Sequence, residues 1–150
     1  MIRSTLSTAK ALPKRLCISI GGFFGAGYKV TLKKGRLIYT YWPPRESYSQ
    51  EPEPQREEIQ PSAEQWENFR RTLNRLNIWC WQANYSDPGV CDGTGWSAKI
   101  VYSDRSLVSS GDNCFPGRDG RALSITVHER DNTFENFCRA VGRLVGRQFH

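Results

Sequence analysis

An α+β fold is predicted for this 150-residue chain: an antiparallel sheet of five to seven strands with two helices on one face, built from a duplicated hairpin-loop-helix unit. Three observations carry that expectation. Residues 28–33 alternate strictly between apolar and polar side chains, as half-buried strands do, and Trp96, Ala98, Ile100 and Tyr102 recur at the same period of two. The stretches WENFRRTLNRL (66–76) and FENFCRAVGRL (134–144) space their apolar residues as amphipathic helices do. These two stretches also share six residues in place, and the same offset maps Gly27-Tyr28 onto Gly95-Trp96 at the head of each alternating run. Two such units would cover each other's apolar faces, and a pseudo-twofold arrangement is the expected result.

The elements follow in order. Residues 16–20 alternate as a strand, and the glycine-rich 21–27 reads as a turn. Tyr28, Val30 and Leu32 share one face of the next strand, with Lys29, Thr31 and Lys33 on the other. Lys34-Gly35 turns the chain into a strand over 36–42, which Pro43-Pro44 ends by removing ladder donors. Residues 45–61, rich in Glu, Pro and Gln, read as an exposed loop. Ser62, three residues before Gln65, resembles a capping box for a helix that buries Trp66, Phe69, Leu73 and Leu76 within an arc of about 80°. Residues 77–81 lead into another strand, with Trp79 and Trp81 pointing the same way. Turns at 86–89 and 92–95 precede the strand carrying Trp96, Ala98, Ile100 and Tyr102, and Ser103-Asp104 turns into 105–110. A long loop at 111–131 contains a short alternating run at 123–127, and residues 131–133 cap a last helix burying Phe134, Phe137, Val141 and Leu144.

One domain is expected, with a basic arm at 1–15, the first repeat at 16–78 and the second at 79–150. Hydrophobic content of 38% and five Trp suffice for a core, since a chain of this size buries roughly two-thirds of its unfolded surface. Charge is uneven. Residues 1–45 carry nine Lys or Arg and no acid, whereas 46–60 carry five Glu against one Arg. A basic half of this kind attracts nucleic acid, acidic protein or anionic lipid, or else serves solubility alone. The leader 1–16 is basic, Ser/Thr-rich and acid-free; it reads as a flexible or sheet-edge arm in preference to an organellar transit segment. The five cysteines are scattered, with no C-x-x-C pair, and no run reaches the ~18 apolar residues of a membrane span. A reduced, cytoplasmic setting is favoured. Cys91 and Cys114 flank the second hairpin and are the pair that an oxidising setting would join.

The turn-and-strand Asp92-Gly93-Thr94-Gly95-Trp96, followed by Gly111-Asp112-Asn113, Pro116 and a terminal helix, resembles a pattern found in small uncharacterised bacterial α+β domains. That resemblance covers residues 66–146, about half the chain. The insertion at 117–131 departs from it, and it implies an α+β fold with no activity attached.

Catalytic chemistry finds no support in the sequence. His128 and His150 are the only histidines, no G-x-S-x-G elbow is present, and a Cys114–His128 nucleophile–base pair has nothing to fix its distance. Asp87, Asp92, Asp104 and Asp112 lie at turns without metal-ligand spacing, so neither metal nor cofactor is expected. The chain reads as a non-enzymatic protein-interaction module: an adaptor, inhibitor or assembly subunit. Its candidate contacts are Phe23 and Phe24 on the glycine turn, and Arg71, Arg75, Arg139, Arg143 and Arg147 along the helices. Glu67 and Glu135 precede Arg71 and Arg139 by four, the favourable ion-pair order, which leaves the other three arginines over. The alternative is single-stranded nucleic-acid binding by the open sheet face through Lys29, Lys33 and Lys99, with Trp42 nearby.

Overall fold

The computed structural model describes residues 11–22, 25–47, 49–86, 93–124 and 131–150. The elements, in order, are β1 (Arg15–Gly22), β2 (Gly27–Lys33), β3 (Arg36–Trp42), β4 (Gln55–Ile59), α1 (Ala63–Leu76), β5 (Asn84–Ser86), β6 (Thr94–Val101), β7 (Ser106–Asp112), β8 (Cys114–Pro116), β9 (Ala122–Ser124) and α2 (Thr133–Val145). Seven strands form one sheet in the order β4-β3-β2-β1-β6-β7-β5. Every pairing in it is antiparallel except β5 with β7. β8 and β9 form a separate two-stranded ribbon.

Alternation decides which face is buried. Leu16, Ile18 and Ile20 of β1, Tyr28 and Val30 of β2, Leu37 and Tyr39 of β3, and Trp96, Ala98 and Ile100 of β6 all point one way. They join Trp66, Phe69 and Leu73 from α1 and Phe137, Val141 and Leu144 from α2 in a single apolar cluster. The core therefore lies between one face of the sheet and the helix pair. Its second half is aromatic: Trp81 meets Phe137 edge-on at 5.1 Å, and Trp96 meets Phe134 at 5.0 Å between ring centres.

The helix ends follow local chemistry. Ser62 Oγ accepts from Gln65 N at 3.1 Å while the Gln65 side chain accepts from Ser62 N at 2.8 Å, completing the expected capping box. Asn77 closes α1 in the left-handed region (φ 50°), a conformation asparagine tolerates. At α2 the cap is displaced. The side chain of Asn132 makes no capping bond; instead Asp131 Oδ1 accepts from Thr133 N at 2.9 Å and Asp131 Oδ2 from Arg118 N at 2.8 Å, which ties α2 to the loop before β9.

The expected pseudo-twofold is not present. Because β1 is antiparallel to both β2 and β6, those two strands run in the same direction with their core faces alike. β3 lies on one side of β2 and β7 on the opposite side of β6, so the two hairpins wind in opposite senses. A twofold normal to the sheet would reverse β6 against β2, and one lying in the sheet would turn an apolar face outward. The strand expected from residues 77–81 is also absent. A 3₁₀ turn at Ile78–Cys80 stands there, with Ile78 and Trp81 buried and Trp79 half-buried. The loop expected at 45–61 contains the edge strand β4. Finally, the described end of the basic arm is not free: Lys14 N donates to Val101 O at 2.6 Å and Arg15 opens β1.

Of the Asp-Gly…Trp and Gly-x-Asn motifs, Gly93, Trp96, Gly111 and Asn113 form one structural lock, and Asp92 lies outside the described residues. Trp96 Nε1 donates to Cys114 O at 2.9 Å, and Asn113, left-handed at φ 55°, accepts from Thr94 N at 2.8 Å. A Cβ on Gly111 would fall 2.2 Å from that indole nitrogen, and one on Gly93 only 1.3 Å from Asn113 Oδ1. Glycine is required at both by close approach. Gly111→Ala is expected to cost about 3 kcal/mol, combining overpacking with a stranded indole donor. Gly25→Ala, where nothing lies within 4 Å of the new carbon, should change urea stability by less than about 0.5 kcal/mol.

Candidate functional site

Between α1 and α2, on the side away from the sheet, lies an open cleft of about 480 Å³. On α1, Gln65, Asn68, Thr72 and Arg75 recur at three- and four-residue spacing and so form one stripe alongside α2. Arg71 stands beside that stripe, and α2 contributes Ala140, Arg143 and Leu144. Small Ala140 lets the helices approach, while Arg143 stands three residues on from it. Phe69, Ala140 and Leu144 form the floor but are 2–3% exposed, so little apolar area remains to be covered. The rim supplies the chemistry: three guanidinium groups and no carboxylate among the lining residues. Asn68 Oδ1 accepts from Arg71 Nη1 at 2.9 Å and so orients that fork. Arg75 and Arg143 make no ion pair among the described residues.

The five helix arginines therefore have three fates. Arg71, Arg75 and Arg143 share the cleft. Arg139 pairs with Glu135 at 2.8 Å, the i,i+4 pair expected from the spacing. Arg147, just past α2, clamps Glu57 of β4 through two guanidinium nitrogens, one of them at 2.8 Å. That clamp belongs to a C-terminal strap. Tyr39 Oη donates to Gln148 O at 2.6 Å, and buried Phe149 lies 5.9 Å from the Tyr28 ring. Tyr28, Tyr39 and Tyr41 line a cavity of about 450 Å³ beneath the strap. Burial raises the Tyr28 and Tyr39 phenols above their ordinary value of 10.0, with neighbouring tyrosines adding to the effect.

Phe23 and Phe24 lie outside the described residues, as do Cys91 and His128. The Cys91–Cys114 and Cys114–His128 pairs therefore have one member each outside the description. Lys29, Lys33 and Lys99 lie on the sheet face opposite the helices, together with Thr31, Ile38, Trp42 and Val101. Burial pushes the Cys138 thiol up to about 12, which removes it as a nucleophile at neutral pH. Among the described residues no group of three His, Cys, Asp or Glu side chains is placed to hold a metal ion, and no helix is long and apolar enough to cross a membrane.

Sequence reasoning did not find Gln65 and Thr72 as cleft residues, although their spacing with Asn68 and Arg75 was the available signal. It also did not find the packing midway along α1. There Arg70 stacks 4.5 Å over the Tyr102 ring and donates to Asp104 at 2.5 Å. No protein-family model matches the chain, and a comparison with curated proteins finds no match.

The clamp predicts a pH effect. The hydrogen bond and charge of Arg147 hold the Glu57 carboxyl below its ordinary value of 4.5. A depressed carboxyl stabilises the fold above its unfolded pKa, and that contribution is lost as pH falls through the lower folded value. In R147A, NMR titration of Glu57 should return its pKa toward 4.5, and the stability advantage of wild type should vanish on acidification below that point.

Proposed function

We propose that this protein is a non-enzymatic protein-interaction module, acting as an adaptor, inhibitor or assembly subunit, that takes an acidic segment of another protein in the α1/α2 cleft. One observation carries the reading: Arg71, Arg75 and Arg143 converge on one concave surface that contains no carboxylate. Guanidinium forks match carboxylate geometry in pairs, and Arg71 is already oriented by Asn68, so less freedom is lost on binding. Because the apolar floor is already covered, affinity must come from these charges and will fall with added salt. The same absence of apolar area disfavours a hydrophobic helix as the occupant and favours an extended acidic stretch.

The test compares wild type with R75E/R143E in pull-downs from the native host, read by mass spectrometry. A stoichiometric protein partner should be captured by wild type and lost by the charge-reversed variant, with purified partner weakening at least tenfold. No stoichiometric partner for wild type, or equal capture by both, would refute the reading.

A further inference from the structure

The sheet face away from the helices carries a second cationic surface, built from residues the cleft does not use. Cross-strand register aligns a polar row across all seven strands, running from Arg56 in β4 through Thr40, Lys29, Ser19 and Ser97 to Asn84 in β5. The Ser19 and Ser97 hydroxyls share a hydrogen bond of 2.7 Å within it. At ~4.8 Å between strands, the row is roughly 29 Å long. The next row on this face reads Trp42, Gly27, Gly21 and Gly95, so three adjacent strands leave their backbone uncovered. Trp42 bounds this shallow trench, its ring carbon 3.5 Å from where a Gly27 Cβ would stand. On the other side of the polar row Lys99 lies opposite Cys17, and Lys33 closes β2 opposite Arg36.

Cations outnumber acids on this face. Lys29, Lys33, Lys99 and Arg15 make no ion pair among the described residues. Of the acids at this face, Glu58 is engaged by Arg36 at 3.4 Å and Glu51, which borders Trp42 and Gly27, by Arg45 at 3.2 Å, while Asp112 closes the far end of the trench, its Oδ1 3.6 Å from where a Gly95 Cβ would stand. A second copy packed face to face would set these lysines against one another, which opposes self-association. An anionic polymer fits instead.

We infer that this face binds single-stranded nucleic acid without reading its sequence. Lys29, Lys33 and Lys99 meet phosphates, the serine hydroxyls of the row donate to phosphate and sugar oxygens, and a base lies in the glycine trench against Trp42. Stacking on Trp42 requires unpaired bases, so a duplex does not satisfy the surface. The residues are distinct from Arg71, Arg75 and Arg143, so this inference and the cleft reading stand or fall separately.

The test is fluorescence anisotropy of the full chain with labelled oligothymidylate. Three phosphate contacts on a single strand give a log–log salt slope of about −2, or about 20-fold weakening from about 50 to about 200 mM salt. K29E/K99E should weaken binding at least tenfold and flatten that slope; K29Q/K99Q should do so less strongly; R75E/R143E should bind as wild type. Far-UV circular dichroism checks that each variant is folded. No binding at about 50 mM salt overturns the inference, as does binding that neither lysine pair affects. So does tight binding of a sulfated polysaccharide that oligothymidylate cannot displace, which would assign the face to an anionic glycan.

Discussion

Everything in this molecule depends on β1 being hydrogen-bonded along both edges. Its eight register pairs with β6 join the chain's two hairpins into one sheet, and its pairing with β2 holds the first hairpin in place. Without β1 the hairpins would be short pieces, each with one apolar face, and pieces of that size are marginal in water. The constraint has a geometric consequence as well. Antiparallel pairing on both sides forces β2 and β6 into one direction, so the alternating side chains of the central strands stay in phase across the sheet. The core side chains Ile18, Ile20, Tyr28, Val30, Trp96 and Ile100 then fall on the helix side, while the other side carries the continuous polar row alongside the apolar Ile38, Trp42, Val101 and Val108.

Local order was legible from sequence where the pattern was strong. The capping box at Ser62, the burial of Trp66, Phe69 and Leu73, and the alternation through Tyr28, Val30, Trp96 and Ile100 were each visible as period or cap. Features set by partners distant in the chain were not. β4 has almost no buried side chain, so it carries no alternation; it is a strand only because the backbone of β3 offers its unpaired edge. Charged residues on such an edge also deter pairing with another chain. The repeat was misleading for a related reason. Two helices with the same apolar stripe satisfy the same need for burial, and that need fixes neither strand order nor the sense in which a hairpin winds. Residues 77–81 show the limit in another form: alternating tryptophans fit a strand, but Asn77 in the left-handed region turns the chain into a 3₁₀ turn.

The cleft was half legible. That Arg71 and Arg75 lie on the polar face of one helix follows from spacing alone. That Arg143 joins them while Arg139 does not depends on where α2 crosses α1, and Ala140 sets that crossing by its small volume. Arg147 illustrates the opposite outcome. By sequence it continues the arginine series of α2, yet the helix ends at Gly146 in the left-handed region and the chain turns back toward β4. The next residue thereby pairs with Glu57 at the β4 edge and lies apart from the cleft.

The distribution of ion pairs explains why a modest net charge of +6 yields two strongly cationic surfaces. Read linearly, the acidic segment 46–60 would offset the basic first third. Folding instead uses that segment internally: Glu51 meets Arg45, Glu58 meets Arg36, and Glu57 meets Arg147. Each contact lies at or near the β3–β4 edge, away from the helix cleft, and Arg45–Glu51 borders the Trp42 end of the open face. Surface pairs of this kind add little stability, typically below about 1 kcal/mol. Their larger effect is on where the field remains. With three of these acids drawn to one edge, the cations that make no ion pair among the described residues include Arg75 and Arg143 on one face and Arg15, Lys29, Lys33 and Lys99 on the other. Separation of charge by strand pairing, rather than total charge, gives this small sheet its capacity to attract anions.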